Sequence, residues 1–81
     1  MKAVVTVMPR DDVLDPQGKA VAQALHSLGF ADVGDVRVGK TIVLELATTS
    51  AAEARSEAEA MARKLLANPV IEQFEVEIKD A

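Results

Sequence analysis

The chain opens and closes on period-two alternation, and no other feature of its 81 residues constrains the fold as strongly. At the start, Ala3, Val5 and Val7 lie on one side of an extended segment, with Lys2, Val4, Thr6 and Met8 on the other. At the end, Phe74, Val76 and Ile78 point one way while Gln73, Glu75, Glu77 and Lys79 point the other. A strand that is apolar on one side must lay that side against a second layer. Both ends of the chain therefore predict strands of a sheet covered on one face.

Two helices stand between these strands. Pro9 ends the first strand and Arg10-Asp11-Asp12 begins a charged loop. Asp15-Pro16 then starts a helix. Asp15 can cap free backbone N–H groups, and Pro16 suits the first helical position, where its missing N–H would have had no partner. Val21, Ala24, Leu25 and Leu28 share one face of this helix, and Gly29 is a natural left-handed stop. The second helix starts at the S-x-x-E capping box Ser50-Ala51-Ala52-Glu53 and runs to about residue 67, where Asn68-Pro69 stops it. Its expected inward stripe is Ala54, Ala58, Met61 and Leu65, with Ala62 and Leu66 beside it.

The segment Asp35 to Leu46 allows two readings. Val36, Val38, Ile42, Leu44 and Leu46 share one parity, interrupted at Lys40. A two-residue turn at Gly39-Lys40 would put Val36 and Ile42 on opposite faces, because register and side are linked in a strand. A three-residue loop, Gly39-Lys40-Thr41, preserves the face, and so does one long strand bent at Gly39. The loop is the slightly favoured solution. Either way, the order predicts an α+β two-layer sandwich of ferredoxin-like type, β-α-β(β)-α-β, with an antiparallel sheet and two helices on one face. The other face carries Val4, Met8 and Val43 among polar residues, which suits either an ordinary surface or a dimer contact.

Length and composition bound the function. Residues 1–81 make one domain with no room for a second core. So short a chain needs support from disulfides, a metal or a partner. Cysteine is absent and His26 is the one histidine, which leaves self-association or docking onto a larger protein. A net charge of −4 and two aromatic residues, Phe30 and Phe74, argue against nucleic acid, which needs basic surface and stacking platforms. No stretch approaches the roughly 20 apolar residues of a membrane span. A soluble chain without cysteine fits the cytoplasm.

No nucleophile and base can be paired from the sequence. Ser50 is a cap, His26 falls towards the solvent side of its helix, and Glu53, Glu57, Glu59, Glu75 and Glu77 fall on predicted solvent faces. There is no phosphate-binding glycine loop. Two places are less routine. Gly18 sits in the first turn of a helix, where glycine costs up to about 1 kcal/mol relative to alanine; either packing is tight there or another backbone or partner comes close. Arg37 and Lys40 form a small basic spot on an acidic chain, as two solvated cations or as contacts to a carboxylate or phosphate.

At these positions the sequence resembles a known family. Val13-Leu14-Asp15-Pro16-Gln17-Gly18-Lys19-Ala20-Val21, Ala24-Leu25 and Leu28-Gly29-Phe30 look like the signature of the PurS-type small subunit of phosphoribosylformylglycinamidine synthase. The likeness continues through Asp35-Val36-Arg37-Val38-Gly39-Lys40 and ends with Lys64-Leu65-Leu66-Ala67-Asn68-Pro69-Val70-Ile71-Glu72. Phe30 stands where tyrosine is common, and Asp11-Asp12 lengthens the acidic approach to the first block.

The resemblance implies a non-catalytic assembly subunit of an enzyme of de novo purine synthesis. A PurQ-type glutaminase subunit would release ammonia from glutamine. A large PurL-type synthetase subunit would use ATP and Mg to convert phosphoribosylformylglycinamide to its amidine. The small subunit, a homodimer or tetramer that binds no cofactor itself, would bridge the two. By motif position the contact candidates are Asp15, Pro16, Gln17 and Gly18, then Arg37, Gly39 and Lys40, then Asn68, Pro69 and Glu72. Arg37 and Lys40 come first, since no demand of the fold for a cation is visible at either place. The competing expectation is a ferredoxin-like ligand-sensing domain with a polar pocket at a dimer seam; a third is a free-standing small hydrolase.

Overall fold

A computed structural model describes residues 1–80. Its elements run β1 (Lys2–Pro9), α1 (Pro16–Ser27), β2 (Lys40–Glu45), α2 (Ala51–Met61), a π turn (Ala62–Leu66) and β3 (Glu72–Lys79). The three strands form one antiparallel sheet in the order β2-β1-β3, an α+β, ferredoxin-like arrangement. Val5 pairs with Ile42 on one side and Val76 on the other, and Ala3 with Leu44 and Ile78. The alternating apolar residues of all three strands thus line up in rows on one face.

On that face Ala3, Val5 and Val7 are fully buried under Ala58 and Ala62 of the second helix and its π turn, and Ala54 is buried as well. Alanine at every fourth position lets the helix backbone come close to the sheet, so valines are the largest side chains buried completely. The helix lies mainly on β1 and β3. Ile42, Leu44 and Leu46 of the β2 side border the core and are only half-buried. Among the described residues no helix is long and apolar enough to cross a membrane.

Two sequence expectations are corrected. The Gly39-Lys40-Thr41 hairpin does not form: residues 35–39 belong to no strand, and β2 is a single strand that starts at Lys40 opposite Val7. Glycine is needed at 39 for room rather than for a turn. A Cβ there would meet Met8 Sδ at 2.1 Å and the Val7 carbonyl oxygen at 2.5 Å. The stripe of the second helix also differs, for Met61 is exposed and Leu65 is 83% exposed, while Ala62 and Ala67 are buried. For Leu65 the π turn is the reason. Its wider i→i+5 loop, closed by the Ala67 N–H donating to the Ala62 carbonyl at 2.9 Å, advances each residue by less than the α-helical 100°, so Leu65 lags out of the inward stripe.

α1 is well capped yet adds no side chain to the core cluster. The Asp15 carboxylate accepts from the Gly18 N–H at its start. At its end Gly29 takes φ 98°, the Phe30 N–H donates to the Leu25 carbonyl and the Gly29 N–H to that of His26, a complete Schellman motif. Its apolar stripe is open to solvent, with Val21 41% and Leu28 73% exposed. The molecule measures 48 × 27 × 14 Å. Eight residues of β1 and twelve of α1, laid end to end, give about 44 Å at strand and helix rises. α1 therefore extends beyond the end of the sheet. The radius of gyration agrees, 15.9 Å where a compact chain of this length has about 12 Å.

Candidate functional site

The three motif blocks of the sequence meet where the sheet ends and α1 begins. β1 leaves the sheet at Pro9, and the next residues are grasped from two sides. Arg37 donates to the carbonyls of Pro9 at 3.0 Å and Asp11 at 3.3 Å, and also to that of Arg10. Arg10 in turn donates through Nε and a terminal nitrogen to the Pro69 carbonyl, at 3.2 and 3.0 Å, while its backbone N–H donates to the Ile71 carbonyl. Two guanidinium groups thus tie the 35–39 segment and the turn before β3 to the same short stretch of backbone.

Asp15 completes the joint. One carboxylate oxygen caps α1 at the Gly18 N–H, 3.0 Å away, and the other accepts from the Val38 N–H at 2.8 Å. These bonds favour the charged form, so the Gly18 N–H first, the Val38 N–H next and, to a smaller degree, the Arg37 cation hold the carboxyl below its ordinary pKa. Gly18 settles one of the two readings left open. It is the one buried residue of α1, and a Cβ there would lie 1.9 Å from the Val36 carbonyl oxygen. Close backbone packing within the chain requires the glycine.

The third block holds itself. The Asn68 side chain accepts from the Val70 N–H at 3.1 Å, the Asn68 N–H donates to the Glu72 carboxylate at 2.8 Å, and the Glu72 N–H donates to the Asn68 carbonyl at 2.7 Å. This closed turn delivers the chain into β3 and leaves Val70 78% exposed at its tip.

The expected residues therefore divide. Asp15, Gly18, Arg37, Gly39, Asn68 and Glu72 shape backbone. Pro16, Gln17, Lys40 and Pro69 have exposed side chains. The expectation that the fold makes no demand for a cation at 37 is corrected: Arg37 donates to three carbonyls of the loop that follows β1. Sequence reasoning missed Arg10 and the Val36 backbone altogether. Val36 acts through its carbonyl, and the Arg10 guanidinium acts on a carbonyl 59 positions away, so neither partner leaves a signature in nearby residues. Beside the joint lies a hollow of ≈ 280 Å³ bordered by Leu14, Asp15, Lys19, Asp35 and Arg37, among others. With Asp15 and Arg37 engaged by backbone, the arrangement as built fixes the direction of α1 relative to the sheet.

Residues 2–80 match the family model PurS, phosphoribosylformylglycinamidine (FGAM) synthase. The chain belongs to the PurS family. A PurS subunit from Bacillus subtilis is 42% identical over 79 residues, 98% of this chain and 93% of that protein. One from Mycobacterium leprae is 47% identical over 75 residues, 93% of this chain and 91% of that one. Among solved structures, PurS of Methanocaldococcus jannaschii superposes with a TM-score of 0.88 at 35% identity, covering 99% of this chain and 96% of that one. A chain in the structure of PurLQS from Thermotoga maritima superposes with a TM-score of 0.84 at 32% identity, covering 94% and 93%.

Proposed function

We propose that this chain is the small, non-catalytic assembly subunit of a phosphoribosylformylglycinamidine synthase in purine biosynthesis, working in the cytoplasm. It bridges a glutaminase subunit and an ATP- and Mg-dependent synthetase subunit, so that ammonia released by the first reaches phosphoribosylformylglycinamide on the second. The chain itself acts as a homodimer or tetramer and binds neither ATP nor Mg. The observation that carries this reading is the near full-length match to a chain of the PurLQS structure. The joint supports it in kind, since its carboxylate, guanidinium and amide groups are directed at backbone and set the shape of a surface.

Within that reading the contacts to the companion subunits come from exposed members of the motif blocks, Pro16, Gln17, Lys40 and Pro69, held in place by the residues behind them. Reconstitution tests the whole. With this chain present, glutamine should support amidine formation by the two companions; without it, glutamine-dependent synthesis should fall at least tenfold while synthesis from added ammonium salt persists. Equal glutamine-dependent rates with and without the chain would refute the bridging role.

A further inference from the structure

β3 borders the sheet and pairs with β1 on one side only. In antiparallel pairing every second residue of a border strand turns its N–H and C=O outward. The phase is set where Arg10 and Ile71 continue the register beyond Pro9 and Glu72, the Arg10 N–H donating to the Ile71 carbonyl. Gln73, Glu75 and Glu77 therefore bond to β1, and Phe74, Val76 and Ile78 turn their main-chain groups away from it. Among the described residues one group reaches them, the Arg55 guanidinium of α2, which donates to the Val76 carbonyl at 3.0 Å. An open border of this kind is a template for strand addition.

Side chains decide which strand fits. On the face that α2 leaves uncovered, Glu75 and Glu77 are exposed, and opposite them on β1 stand Thr6 and Val4, neither a cation. Glu75 has no ion pair among the described residues, and Lys79 approaches Glu77 only to 4.0 Å with both side chains well exposed, a contact of little strength. On the covered face Phe74, Val76 and Ile78 are half-buried and pack against the core. Residues of an added strand opposite Glu75 and Glu77 would stand in the close, non-hydrogen-bonded pairs, where side chains across strands interact best. A second copy of β3 does not suit the place. Paired over its full length about Val76, it sets Glu75 against Glu77 twice; paired about Glu75, it sets that carboxylate against itself. Like charges directly opposite destabilise a pair of strands.

We propose that the outer border of β3 accepts an extended segment of a partner protein in which basic and apolar residues alternate. Lysine or arginine stands opposite Glu75 and Glu77, and apolar side chains continue the row of Phe74, Val76 and Ile78. Arg55 keeps the border shut until such a segment arrives. Its side chain is 51% exposed and its pair with Glu59 is loose at 3.9 Å, so it swings off the Val76 carbonyl at small cost. This surface lies apart from the motif residues assigned to the companion subunits and stands without that assignment.

The test titrates the full chain with a synthetic heptapeptide that alternates lysine and valine, and follows amide hydrogen exchange by nuclear magnetic resonance. Exchange at Phe74, Val76 and Ile78 should slow at least about tenfold, while the Glu75 and Glu77 amides, already bonded to β1, change little. The same peptide with its bonding nitrogens methylated should give no protection, and neither should a peptide alternating glutamate and valine. Glu75→Lys with Glu77→Lys should exchange the preference between the two charged peptides, and Arg55→Ala should tighten binding of the lysine peptide severalfold. Equal protection by the methylated peptide would mean charge attraction without strand pairing and overturns the proposal. So does an absence of protection at the three amides, or an Arg55→Ala chain that binds no better. Protection of those amides in the free chain, growing with its concentration, gives the border to a second copy and overturns it as well. The peptide comparison on the natural chain decides even if a variant fails to fold.

Discussion

The two ends of this molecule are held by different physics. At the sheet end, Val5 and Val7 lie under Ala58 of α2 and Ala62 of the π turn, and apolar burial at roughly 25 cal/mol per Å² provides the stabilisation. At the α1 end the only buried residue is a glycine, and the backbone is positioned by one carboxylate and two guanidinium groups. Burial is graded and forgives small changes of shape. Hydrogen bonds to main-chain carbonyls depend on position to within a few tenths of an ångström, so this end sets a direction that packing alone would leave loose.

Three substitutions separate the two regimes. The largest effect is expected from Gly18→Val, which forces a branched side chain into the Val36 carbonyl. It should cost about 3 kcal/mol, at the upper end for overpacking, and should free α1 while the sheet stays formed. Hydrogen exchange would show the Val38 amide losing protection and β1 amides keeping theirs; equal loss in both would show that the ends are not separable. Next comes Ala58→Leu, which pushes α2 off the valines and should cost about 2 kcal/mol, read as a lower urea midpoint. The Val38 amide should here keep its local protection relative to the global unfolding limit.

The smallest effect concerns acid. The folded pKa of Asp15 lies below its unfolded value near 4, so its contribution is fully present above that value and fades as pH falls through the folded pKa. Asp15→Asn should flatten the loss of stability between about pH 4 and lower values, and leave a uniformly weaker α1 start at neutral pH. An unchanged acid slope would place the pH sensitivity elsewhere.

What the sequence disclosed follows the same division. Period-two alternation located β1 and β3 and the faces they bury, because burial writes itself into every second residue. Asp15, Ser50 and Gly29 disclosed the helix ends, because caps act within four residues. The role of Arg37 was hidden, since its partners are carbonyls 26 to 28 positions away. The π turn was equally illegible: Ala62–Leu66 is compatible with ordinary helix, and only the contacts of Ala67 and Leu66 with the core decide its register. Likewise Gly39 suggested a turn, whereas its cause is a methionine and a carbonyl on the neighbouring strand. Local causes were readable; causes that cross the chain were not.

The alanine stripe of α2 has a further consequence. A body 14 Å through contains one stratum of side chains, in which the completely buried ones are no larger than valine. Close-packed interiors compress very little. Two proteins resting on opposite faces would therefore stand at a separation set by backbone alone, so this small chain would work as a stiff shim.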